Sequence, residues 1–200
     1  MHRFVFLPLL FLTMWSSAQD TSLVNVDELA EEIMQTKEGN DELKMLFWLP
    51  LEYWEAVTKG TPDYSPEAIS LLEGILRDYI VVLAVDGKID TKSTFKTKEQ
   101  VRRGLRFIYD GDKVLLPLLD SEVSADAKEL LKEMQPMFES TMGAMGKGFH
   151  VFYFAVPKGK SFSAKEAGAF AIQVGGTDFN WSLPLASFSP RKLCPVDGKR

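Results

Sequence analysis

Residues 149–156, F-H-V-F-Y-F-A-V, are the most apolar strand-like run of the chain, and Gly143, Gly146 and Gly148 stand just ahead of them. An unbroken apolar and aromatic run of this length reads as a strand covered on both faces. The helical pattern before it stops at the glycines, which suit a helix C-terminus and a tight entry into a strand. Phe149–Val156 is therefore expected at the centre of the fold, turned away afterwards by Lys158-Gly159-Lys160. A chain organised around such a strand has to supply sheet partners on its flanks and cover on its faces.

The rest of the pattern supplies them. Val26, Leu29, Ala30 and Ile33 make a helical stripe, with Asp27 and Glu28 where the helix dipole favours acids. Pro50 starts a short helix holding Leu51 and Trp54. Ser65-Pro66-Glu67 opens another, with serine as cap and proline at the first helical position. Tyr79–Val85 reads as a buried strand, and Thr97 and Gln100 have capping-box spacing for a short helix closed by Gly104. Leu105–Tyr109 and Lys113–Leu118 flank Asp110-Gly111-Asp112 as a hairpin, with Pro117 making the second strand an edge or placing its end there. Ser124 begins a long helix that Pro136 kinks or splits. Ala169–Val174 and Phe179–Leu183 are two more strands about Gly175-Gly176. This order predicts an α+β fold: a helical N-terminal third, then a mainly antiparallel sheet of about six strands, with one long helix inserted before the central strand.

The first residues predict a compartment. Arg3, the apolar run Phe4–Trp15 and the small residues Ser16-Ser17-Ala18 have the layout of a secretory signal peptide, cleaved before Gln19. The expected organisation is a signal peptide over 1–18, one α+β domain over 19–188 and a loosely ordered tail over 189–200. The protein is then exported, periplasmic or secreted, and no transmembrane segment follows signal cleavage. Losing Arg3 takes the formal net charge from −5 to −6, and an acidic chain lacks the basic footprint of a nucleic-acid binder. Cys194 is the only cysteine of the 200 residues, so stability is expected from packing rather than from an internal disulfide.

The motifs that carry chemistry are few. Gly146-Lys147 is followed by Gly148 where a phosphate-cradling loop needs Ser or Thr, and the order helix–loop–strand points a helix C-terminus at the loop. No nucleotide or other cofactor is expected. His150 is the only histidine after residue 18; it could act as a general base, but no G-x-S-x-G elbow supplies a nucleophile, and one histidine excludes multi-histidine zinc sites. Glu52 and Glu55, near Trp48, Tyr53 and Trp54, have the composition of a carbohydrate site. Two acids one turn apart on a helix nevertheless point the same way, whereas glycoside hydrolysis needs them on opposite sides of a bond. A solvated helix face is the plainer reading. His150, Glu52 and Glu55 stand as the catalytic candidates.

From Lys88 to Arg106, seven basic residues face only Asp90 and Glu99. Lys96, Lys98, Arg102 and Arg103 form the candidate binding patch for an anionic envelope component or another protein, against a solvated loop as the alternative. Cys194-Pro195-Val196-Asp197-Gly198 resembles the ligand turn of zinc-ribbon knuckles, in which glycine lets backbone amides approach the thiolate. Asp197 stands where that pattern has its second cysteine, so Cys194 would bind zinc only with ligands beyond residue 200. No function is written in these motifs. The expectation is an exported binding or interaction module, with an envelope hydrolase acting on carbohydrate or ester, or a structural and oligomeric envelope component, as alternatives.

Overall fold

The computed structural model describes residues 24–39, 41–59, 65–89, 93–132, 136 and 146–189. The segment expected to be a signal peptide, the Cys194 motif, the residues on both sides of Pro136 and most of the expected tail thus lie outside the described residues.

The protein is α+β, with five helices and two antiparallel sheets among the described residues. Three helix starts are capped by side chains, two of them, at Ser65 and Thr97, as the sequence calls for. Asn25 Oδ1 accepts from the amide of Asp27 at 3.0 Å ahead of α1 (Val26–Ile33). Ser65 Oγ accepts from the amide of Ala68 at 3.0 Å ahead of α3 (Pro66–Leu76). Thr97 and Gln100 close a reciprocal capping box on α4 (Lys98–Gly104). Between them, α2 (Leu51–Lys59) begins directly after Pro50.

The first sheet is built on β3 (Tyr79–Lys88). One flank of β3 pairs with β2 (Glu42–Leu49), which pairs onward with β1 (Met34–Gly39). The other flank is shared: β7 (His150–Ala155) pairs with Tyr79–Ala84, and the short β4 (Thr94–Phe95) with Gly87 and Lys88. Two expectations are corrected here. The N-terminal third is not simply helical, since the run after Ile33 turns into the β1–β2 hairpin. And the central strand is β3, not Phe149–Val156. Both runs are apolar because both are covered on their faces, but β7 pairs with β3 alone among the described residues. Its outer flank instead receives the amide of Leu118 at the carbonyl of Tyr153, 2.7 Å away.

The second sheet runs β6 (Lys113–Leu115), β5 (Arg106–Tyr109), β8 (Gly168–Val174), β9 (Thr177–Leu183). Nine strands in two sheets among the described residues thus replace the single sheet of about six. The β8–β9 hairpin closes on Gly175 and Gly176, both at positive φ (54° and 80°), as a two-residue hairpin turn requires. Register places Leu46, Trp48, Ile80, Val82, Phe152 and Phe154 on one face of the first sheet. That face meets the second sheet through aromatic rings: Trp48 to Phe170 at 4.7 Å, Phe107 to Phe154 at 5.8 Å, Trp48 to Trp181 at 6.4 Å between centroids. Phe107 and Phe154 are fully buried, and truncating either to alanine would cost about 3–5 kcal/mol.

The opposite face carries Leu83, Val151 and Tyr153 and is met by α5 (Ala125–Lys132), whose Ala127 and Leu131 are buried. The Tyr153 hydroxyl donates to the Ala127 carbonyl at 2.9 Å. Eight residues of the expected long helix are described as α5; its continuation falls largely outside the described residues. Gly146–Gly148 form a 3₁₀ turn into β7. No helix among the described residues is long and apolar enough to cross a membrane.

Candidate functional site

Glu52 lies in the first turn of α2 and is 7% exposed. The expected solvated face is therefore corrected at this position. The segment after β7 folds back over the helix: Ser163, 111 residues away in sequence, donates its hydroxyl to Glu52 Oε1 and accepts from the amide of Lys165 at 3.1 Å. Glu52 Oε2 has no hydrogen-bond partner among the described residues. Periodicity within α2 carries no trace of this cover, which is why local reading leaves Glu52 in solvent. Glu55 has a different fate, paired with Lys165 at 3.3 Å and Lys59 at 4.0 Å. One carboxylate is buried beneath Ser163 and the other is paired with lysines nearer the surface, so the two do not flank a common bond as glycoside hydrolysis demands.

Glu52 lines a cavity of about 260 Å³. Leu51, Leu76, Ile80 and Phe162 form apolar wall, and Arg77 and Lys160 are the cations that reach it. Lys160 is already held by Asp110 at 2.6 Å.

His150 opens β7, and its Nε2 lies 2.9 Å from the carbonyl of Lys96. A carbonyl only accepts, so this nitrogen carries the proton and donates. The ring lines a second cleft, of about 240 Å³, between α5 and the first sheet. Its floor is Leu83, Leu131, Phe149, Val151 and Tyr153; Lys98, Lys128, Lys132 and Asp120 bring charge to it. His150 and Asp120 thus share a cleft, but each is engaged. The Asp120 carboxylate accepts from Lys98 at 2.8 Å and Arg102 at 3.1 Å, and the Lys98 hydrogen bond above all holds its acid below the usual carboxylate range. Burial, followed by the nearby Asp120 charge, pushes the Tyr153 phenol up, so it stays a neutral donor. No Ser, Thr or Cys lines this cleft among the described residues.

The basic segment is distributed rather than gathered. Lys96 pairs with the buried Asp86 at 2.7 Å. Lys98 goes to Asp120. Arg102 is drawn to Asp120, to Glu99 at 3.4 Å and to the carbonyl of Leu118. Arg103 is exposed and makes no ion pair among the described residues. Of the four, Lys98 reaches the cleft, where it is joined by Lys128 and Lys132 from α5. Those two were legible only as lysines one turn apart, a spacing that puts both on one helix face. Lys128 Nζ donates to the backbone carbonyl of Asp120 at 3.0 Å, which leaves its charge uncancelled, and Lys132 holds Glu129 at 3.3 Å.

Among the described residues, no group of three or more His, Cys, Asp or Glu side chains is placed to hold a metal. Comparison with protein-family models, curated proteins and solved structures gave no match to this chain.

Proposed function

We propose that this is an exported binding protein whose α5 cleft takes a small amphipathic anion. The observation that carries the reading is the placement of three lysines against one aspartate around an apolar floor. An acyl chain or ring would lie on Leu83, Leu131, Phe149 and Val151, with its carboxylate or phosphate at Lys98, Lys128 and Lys132. At about 240 Å³ the cleft suits a short chain or a single ring better than a long lipid. Engagement of both His150 and Asp120 supports binding over hydrolysis. Export rests on the N-terminal pattern, and N-terminal sequencing of the secreted form should begin at Gln19.

Octanoate tests the cleft directly. Calorimetry should show saturable octanoate binding that weakens with salt, with octanol bound much less tightly. Neutralising Lys128 and Lys132 together to glutamine should loosen octanoate by about tenfold or more. Equal binding of octanoate and octanol, or no effect of the double variant, would remove the anion reading.

An oligomeric envelope component is the second reading, favoured by one observation. Val114, Leu116 and Leu119 stand 51%, 61% and 56% exposed along β6 and the segment after it. Such a strip supports self-association, and light scattering that shows a monomer at all concentrations would remove it.

A further inference from the structure

The Glu52 cavity belongs to none of this. It lies against α2, α3 and the segment after β7, and it does not share the lysine cleft's charged residues. Its defining feature is a carboxylate more than nine-tenths buried, with one oxygen held by Ser163 and the other without a donor. A buried charged acceptor is strongly penalised when no donor meets it, and a charged donor meets it best. The donor is thus expected to be an ammonium group rather than a hydroxyl. The cations at the cavity then say what else the ligand carries. Lys160 is committed to Asp110, but the exposed Arg77 makes no ion pair among the described residues. A simple amine would meet Arg77 as a like charge. A molecule with an anion at its far end would satisfy both positions, and the apolar wall of Leu51, Leu76, Ile80 and Phe162 would take the body between them.

We infer that this cavity binds an elongated zwitterion, with its ammonium on Glu52 Oε2, an apolar body along the wall and its carboxylate at Arg77. Ser163 acts as a positioning residue: the Lys165 amide fixes its hydroxyl, and the hydroxyl fixes Glu52 so that Oε2 remains for the ligand.

Titration of the full chain with ε-aminocaproate, n-hexylamine, hexanoate and L-norleucine tests it by calorimetry and tryptophan fluorescence. The expected order is ε-aminocaproate first, n-hexylamine weaker, hexanoate not bound at this site. Norleucine, whose two charges sit at one end, should bind more weakly than ε-aminocaproate. Glu52→Gln leaves Ser163 an acceptor but presents an amide in place of the carboxylate charge, and should weaken both amines by about tenfold or more. Arg77→Gln, on the exposed side, should bring ε-aminocaproate down to the n-hexylamine level and leave n-hexylamine no weaker. The inference is overturned if ε-aminocaproate does not saturate, as it would not if water alone met Oε2. It also fails if Glu52→Gln retains full affinity, or if norleucine matches ε-aminocaproate. Should Glu52→Gln prove unfolded, the Arg77→Gln comparison decides alone, and an equal loss for both amines sinks the proposal.

Discussion

Asp120 gathers more charge than any other single acid of the described chain. It accepts from Lys98 and Arg102 through its side chain and from Lys128 through its backbone carbonyl. Its folded-state acidity is stronger than that of an unfolded aspartate, chiefly through the Lys98 hydrogen bond. A depressed folded value means that its stabilisation is complete above the unfolded aspartate value and is lost as pH falls through the folded one. The side chain is 62% exposed, so solvent screening keeps the contribution below about 1 kcal/mol. Asp120→Asn should therefore lower stability in the neutral region by less than about 1 kcal/mol, leave the most acidic end nearly unchanged and so flatten the acid limb of a stability-against-pH curve, as urea melts across that range would show. The same substitution releases Lys98 into the cleft and should tighten octanoate, whereas an unrelated structural role would not. At this scale the sequence gives residue types but not their surroundings. His150 and Glu52 stand out by chemistry alone. That one spends its proton on a carbonyl and the other sits under Ser163 depends on chain segments 54 and 111 residues away.

Elements were more legible, for local reasons. Ser65-Pro66, the Thr97–Gln100 box and the glycine pair at 175–176 act within a few residues of themselves, and each produces its helix start or turn. The β1–β2 hairpin has no such signature. Met34–Gly39, M-Q-T-K-E-G, is polar and mostly exposed, with residues that favour helix at least as well as strand. Its extended form comes from pairing with β2, a tertiary constraint that overrides propensity. The glycine loop before β7 also proves to have a partner. A Cβ on Gly148 would come within 2.7 Å of Phe95 Cγ, and one on Gly87 within 2.6 Å of Phe95 Cδ1. The Phe95 ring thus lies against two residues that have no side chain, which fastens β4 to the entry of β7. Gly148→Ala should destabilise by about 1–3 kcal/mol through overpacking. In a Phe95→Leu background that cost should fall, a coupling that denaturant melts of the single and double variants would read out. Equal costs in both backgrounds would mean that the ring is not what Gly148 accommodates.

At the scale of the molecule, the two sheets are held by more than their aromatic faces. Glu32, near the end of α1, accepts from the Ser187 amide at 3.1 and 3.2 Å and from the Ser187 hydroxyl at 3.0 Å. Its carbonyl accepts from Trp181 Nε1 at 3.1 Å, and Gln35 Nε2 donates to the carbonyl of Asn180 at 2.7 Å. The first helix and the first strand are thereby tied to β9 and to the turn that follows it. Glu32→Ala should cost about 1–3 kcal/mol, because Ser187 keeps a donor with no acceptor. Hydrogen exchange should then quicken in α1 and in residues 186–188 together; quickening at one end alone would mean that the tie is not structural. Nothing in the local sequence announces it, since its partners are 155 residues apart. The tie also has a consequence in time. A chain made from its N-terminus has Glu32 in place long before residue 187 exists, so its carboxylate must wait for Ser187 through most of synthesis. A nascent chain of this protein is therefore expected to leave α1 and β1 untied from β9 until residues 180–187 have emerged.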